Sequence, residues 1–178
     1  VNFLLKDGGK WKSLNKTYAP SDESSPRYFC YEYSKGVHPN MLHLKVTGYL
    51  PVQAEWIRYE EGYFIWDYSR NKLAYHSVYA SGAIAAGESE QISGQGITVA
   101  YSIKLPDGKT EKHRDEQMII GNELHTSGFI SRGNKWVLQT KRIWSRLQQP
   151  EGKLVFMSTR DGNFEIYSMD AGGGNLRN

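Results

Sequence analysis

The chain has 178 residues, 39% of them hydrophobic and 23% charged, with 22 basic side chains against 19 acidic ones, enough for one full core and at most a small appendage. Its charges are spread along the sequence, which leaves no basic tract for the clustered phosphate contacts of nucleic-acid binding, and no apolar run approaches the ~18 residues of a membrane-spanning helix. The single cysteine, Cys30, excludes an internal disulfide and a cysteine-rich zinc site.

Twelve tyrosines and the other aromatics lie in short runs with β-branched neighbours, separated by Gly, Asn, Asp and Pro. That is strand composition with turn punctuation. In chain order the pattern predicts strands over Lys10–Tyr18, Tyr28–Ser34, Met41–Tyr49, Ala54–Tyr59, Tyr63–Tyr68, Leu73–Ala80, Ala83–Glu90, Gly96–Leu105, Lys109–Ile120, Glu123–Ser131 and Lys135–Leu147. Hairpin chemistry is expected at Glu61-Gly62, Ser69-Arg70-Asn71, Asp107-Gly108, Gly121-Asn122 and Gly133-Asn134, all of which supply residues that tolerate positive φ. Helical periodicity is nowhere sustained, and Asp22–Arg27 makes at most a turn. Consecutive hairpins either leave two exposed edges or close on themselves, so the expectation is an all-β, antiparallel up-and-down barrel, with a two-sheet sandwich as the alternative. Pro150-Glu151-Gly152 breaks the pattern, dividing a barrel over 1–149 from a hairpin appendage over 150–178.

On the last barrel strand the two-residue repeat puts Trp136, Leu138, Thr140, Arg142, Trp144 and Arg146 on one face, read as the inward one. A buried guanidinium is costly unless paired. Arg142 is therefore expected either to hold a ligand carboxylate or to pair with an internal acid such as Glu123 or Asp115.

Gly9-Lys10-Trp11 on the first long strand and Arg146 at the end of the last resemble the calycin pattern of lipocalins and fatty-acid-binding proteins. The resemblance implies that Trp11 and Arg146 pack together across a closed barrel end in a structural role. Arg142 with Trp144 is similar to the Arg-x-Tyr pair with which fatty-acid-binding proteins hold a carboxylate, tryptophan here replacing tyrosine. Further on, the run Leu154 to Ala171, with its Arg160-Asp161-Gly162-Asn163 turn, followed by Asn175-Leu176, resembles one TolB-like (WD40-like) propeller repeat. A lone repeat cannot form a propeller, so it either begins a longer array or docks as an extra hairpin. The TolB resemblance implies the bacterial cell envelope, hence a periplasmic or secreted protein with an envelope protein partner.

Tyr75, Tyr79, Tyr101 and Trp66 fall on strands and either line a small-molecule cavity or fill a solid core. Of the histidines on strands, His43, His76, His113 and His125, the last is the first choice as a haem or ligand contact, being on the strand before the last. Catalytic motifs are lacking: there is no Gly-x-Ser-x-Gly, Ser93-Gly94-Gln95-Gly96 has no following helix, and Asp115 and Glu116 point to opposite faces. The expected function is binding of a small apolar or amphipathic molecule, one with a carboxylate included, by Arg142, Trp144, Tyr75, Tyr101, His125, Trp66 and Tyr79, without a cofactor. The alternatives are a filled-core structural or interaction domain beside an envelope propeller, and a haem-binding or isomerase-type enzyme.

Overall fold

The computed structural model describes residues 2–147, 153–158, 162, 165–170 and 177, and the chain divides into two compact units, Val1–Arg146 and Leu147–Asn178. The first opens with a 3-10 helix, Asn2–Gly8, followed by β1 (Lys10–Leu14), β2 (Tyr28–Lys35), β3 (Met41–Leu50), β4 (Glu55–Asp67), β5 (Lys72–Tyr79), β6 (Ile84–Ile92), β7 (Gly96–Lys104), β8 (Thr110–Ile120), β9 (Glu123–Arg132) and β10 (Lys135–Arg146). Each strand pairs antiparallel with the next, and β1 pairs with β10. The result is the closed up-and-down barrel expected from the hairpin chemistry, and not the sandwich. In the second unit β11 (Lys153–Ser158) and β12 (Glu165–Asp170) form an antiparallel hairpin, Phe156 facing Tyr167 across it with ring centroids 6.0 Å apart. Arg160, Asp161, Asn163, Ala171, Asn175 and Leu176 of the TolB-like run lie outside the described residues.

Ten barrel strands replace the eleven expected segments, because Ala54–Tyr59 and Tyr63–Tyr68 are one strand. Glu61-Gly62 is the middle of β4, with Gly62 opposite Leu44 on β3 and Ser77 on β5. A Cβ at Gly62 would stand 2.6 Å from the His76 carbonyl oxygen and 2.9 Å from the Ser77 Cβ, so this glycine serves close strand approach and not a turn. The true turns carry positive φ at Asn71, Gly108, Gly121 and Gly133. The first strand stops at Leu14 and does not reach Tyr18. Asn15 turns the chain there, its Nδ2 donating to the Pro26 carbonyl at 2.8 Å and its Oδ1 accepting from the Thr17 N–H and hydroxyl.

In such a meander the chain start and the β2–β3, β4–β5, β6–β7 and β8–β9 connections lie at one barrel end. That end is closed by the 3-10 helix, whose Leu4 is fully buried in the same core as Trp11. Trp11 Nε1 donates to the Leu4 carbonyl at 3.4 Å, and the Arg146 guanidinium carbon lies 4.5 Å from the centre of the Trp11 ring. The two residues are direct cross-strand partners. Gly9 lets the helix enter: its φ is +66°, and a Cβ would come within 2.2 Å of the Tyr33 carbonyl oxygen.

Burial alternates most regularly along β3, where Leu42, Leu44, Val46 and Leu50 face the core. On β10 the alternation breaks, as the pairing with β9 slips by one residue between Leu138 and Thr140. Thr140, Arg142, Trp144 and Arg146 point inward as the repeat predicts, whereas the bulge turns Trp136 and Leu138 outward, where they are 39% and 52% exposed. Unfolding in urea checks the closing contact. Trp11→Ala should lose about 3–5 kcal/mol, the range for emptying a fully buried large aromatic site, and a loss below about 1 kcal/mol would show that the barrel end does not depend on it.

Candidate functional site

The two-residue repeat of neighbouring strands directs Tyr31 and Tyr33 (β2), Glu60 and Phe64 (β4), Tyr75 and Tyr79 (β5), Tyr101 (β7), Asp115 and Gln117 (β8) and Trp144 (β10) into the barrel. Their rings pack against one another. Tyr31 stacks on Trp144 with centroids 4.0 Å apart, and Tyr75 meets Phe64 and Tyr101 at 5.1 Å each. Between Tyr31, Leu44, Glu60, Phe64, Tyr75, Tyr101 and Asp115 a space of only about 10 Å³ remains, room for about one water. The tyrosines named from the sequence thus fill the middle of the barrel.

This packed centre holds two carboxyl groups, neither anticipated as part of a site. Glu60 Oε1 accepts hydrogen bonds from the Tyr75 hydroxyl and, at 2.8 Å, from Ser77 Oγ. Asp115 Oδ2 accepts from the Tyr101 hydroxyl at 3.0 Å. Tyr79 lies beside them, its hydroxyl 3.4 Å from that of Tyr75. The groups form two hydrogen-bonded pieces, Glu60–Tyr75–Tyr79 and Tyr101–Asp115, whose Tyr75 and Tyr101 rings pack edge to face. A little farther along, the Tyr33 hydroxyl donates to Gln117 Oε1 at 2.9 Å.

In-facing glycines make room for this network: a Cβ at Gly87 would lie 2.4 Å from the Tyr101 Cβ, and one at Gly128 would lie 3.2 Å from Asp115 Oδ1. Burial pushes the Asp115 carboxyl up to about 7, the Tyr101 hydrogen bond opposing and the Glu60 charge adding to the rise. Burial also raises Glu60, against the hydrogen bonds of Tyr75 and Ser77. All five inward phenols, Tyr31, Tyr33, Tyr75, Tyr79 and Tyr101, are driven up, first by burial and then by these carboxylates. Chemically, the arrangement keeps two buried carboxyl groups whose protonated forms burial favours.

Arg142 points inward at the rim of this region, its guanidinium carbon 4.4 Å from the centre of the Phe29 ring. Neither Glu123 nor Asp115 pairs with it, and no carboxylate of the described residues lies within 4 Å. His125 corrects the sequence reading: the inward set on β9 is Leu124, Thr126, Gly128 and Ile130, so His125 faces outside, 3.2 Å from Glu123. A haem inside the barrel would not meet it. His43 lies 3.0 Å from Glu61 on the outer face, and His113 is the strand histidine that faces inward, stacked on Tyr101 at 5.7 Å with Nε2 3.1 Å from Glu111. Among the described residues no group of three His, Cys, Asp or Glu is placed to hold a metal.

The larger space is elsewhere. At the helix-capped end a cup of about 690 Å³ is lined by Leu5, Leu42, Phe64, Trp66, Leu73 and Ile92, with Lys35, His38 and Asn40 beside them. Asn40 fixes the β2–β3 loop over it, its Nδ2 donating to the Trp66 carbonyl at 3.0 Å and its carbonyl accepting from the Trp66 N–H at 2.9 Å. Phe64 borders both the cup and the interior space. Of the residues named from the sequence, only Trp66 lines the cup; Tyr75 and Tyr101 border the packed interior, joined by Tyr79 through its hydrogen bond with Tyr75 and by Trp144 through its stack on Tyr31. Glu60 and Phe64 were missed because splitting β4 at Glu61-Gly62 hid the run Glu60, Gly62, Phe64, Trp66 along one face. Comparison with known proteins finds no family model that matches the chain and no curated protein similar to it.

The raised Asp115 pKa has a testable sign. Between about pH 4 and about pH 7 the native state keeps a proton that the unfolded chain has released, so stability should fall as pH rises through that window and level off above it. Glu60 contributes in the same direction. Urea midpoints measured from about pH 4 to about pH 8 should decline less steeply in Asp115→Asn than in the parent. Equal slopes would show that Asp115 is not the buried acid.

Proposed function

We propose that the barrel unit binds a small apolar or amphipathic molecule, and that the ligand sits in the helix-capped cup and not in the barrel centre. One comparison carries this reading. The cup encloses about 690 Å³ and the interior about 10 Å³, whereas small-molecule sites run to roughly 300–1,000 Å³. The lining is mainly apolar, with Trp66 and Phe64 supplying flat surface and Lys35 and His38 offering partners to an acidic head group. An acid held here would meet Lys35, not Arg142.

A calycin kinship is supported by the Trp11–Arg146 contact, the Gly9 entry and the single meander closing β1 on β10. The β11–β12 hairpin is in keeping with the TolB-like reading of the second unit; a place in the cell envelope beside a protein partner is proposed on the sequence resemblance alone. The filled interior favours a second reading, a structural or interaction domain without a small ligand.

Titration with N-phenyl-1-naphthylamine, an apolar dye that brightens out of water, separates the two. The first reading expects saturable binding, weakened about tenfold, or ~1.4 kcal/mol, by Trp66→Ala and left intact by Tyr101→Phe in the packed interior. Displacement by a medium-chain fatty acid that Lys35→Ala weakens would identify the acidic head group. Absence of saturable binding, or equal affinity in Trp66→Ala, would give the second reading the field.

A further inference from the structure

β10 is twelve residues long and β1 only five, so the ladder that closes the barrel is short: Trp11 opposite Arg146 and Lys12 opposite Ser145. One residue further along β1, the Ser13 hydroxyl donates to the Ile143 carbonyl at 2.8 Å, which shows that this carbonyl faces β1. Backbone N–H and C=O groups alternate sides along a strand with a period of two. Those of Lys141 therefore face the same gap, and among the described residues no strand meets them there. β1 has by then ended at Leu14. The residues Lys135 to Lys141 are all exposed, although each belongs to a paired strand.

The gap is a cleft of about 310 Å³, bordered by Ser13, Asn15 and Thr17 on one side and by Thr140, Lys141 and Arg142 on the other. Its charged lining is of one sign: Lys16, Lys141 and Arg142, without a carboxylate. Arg142 rests on the Phe29 ring, which holds the guanidinium in place while leaving its planar donor fork open to a carboxylate.

Taken together, an open strand edge and a cationic lining specify an occupant. We propose that the gap accepts an extended acidic peptide segment of a partner protein, which adds to β10 as an edge strand and sets acidic side chains of its two faces against Arg142, which points into the barrel, and Lys141, which points out. A small anion would satisfy the cations but leave the Lys141 backbone groups unanswered. A second copy of the chain would bring the same cations edge to edge, which like-charge repulsion opposes. The site is separate from the helix-capped cup, so the two proposals stand or fall independently.

The test uses the full chain and dye-labelled peptides of about ten residues, the length of a long strand, read by fluorescence anisotropy. A peptide with Glu-Glu pairs separated by Thr, which carries acids on both faces, should bind, and its Lys-for-Glu counterpart should bind at least about tenfold more weakly. Methylating alternate backbone nitrogens should abolish binding while keeping every charge. Arg142→Ala and Lys141→Ala should each weaken the acidic peptide, and hydrogen exchange should slow at the Lys141 amide when it binds. Circular dichroism of both variants verifies the fold. Unchanged affinity after N-methylation, full displacement by millimolar phosphate, a dimer that Lys141→Glu dissolves, or no peptide binding at all would each overturn the proposal.

Discussion

The barrel closes on very little backbone. Two cross-strand pairs join its first and last strands, and what makes so short a seam sufficient is the packing of Trp11 between the 3-10 helix and Arg146. The indole is wholly buried, so it contributes the full burial of a large apolar side chain at the place where the ladder is weakest. The guanidinium covers its face with a charge that stays in reach of solvent. Without that contact the sheet would present a short edge at β1 and a long one at β10.

Once closed, ten strands enclose more space than aliphatic side chains would fill neatly, and this sequence fills it with phenol rings around two acids. Such a core is costly unless each polar group is answered. Here the hydroxyls of Tyr75, Tyr101 and Ser77 answer Glu60 and Asp115, and the in-facing glycines give these groups room. The centre is thereby committed to its own side chains. Space for another molecule is left at the capped end, where loop, helix and strand ends meet without interdigitating.

Much of the fold was legible in the sequence because turn chemistry is local. Asn71, Gly108, Gly121 and Gly133 mark their hairpins by the same positive φ that their residue types tolerate. Gly62 misled because glycine serves turns and close approach alike, and only the neighbouring strand reveals which. The inward set of β10 was right from Thr140 onward and wrong before it, since a bulge leaves no mark in the order of residues. His125 was chosen for its place in the chain, whereas parity with its neighbours decides its face. The helix-capped cup was not legible, as Leu5, Asn40 and Ile92 come together only when distant loops meet at one barrel end.

The slip beside Gln139 divides one strand into two halves under different packing constraints. On one side of it, alternate residues are held by the interior and tolerate little change. On the other, Trp136 and Leu138 project from the surface, and drift there leaves the packed centre untouched. A single extra residue in the ladder thus acts as insulation, separating the packing of the hairpin tip from that of the framework behind it.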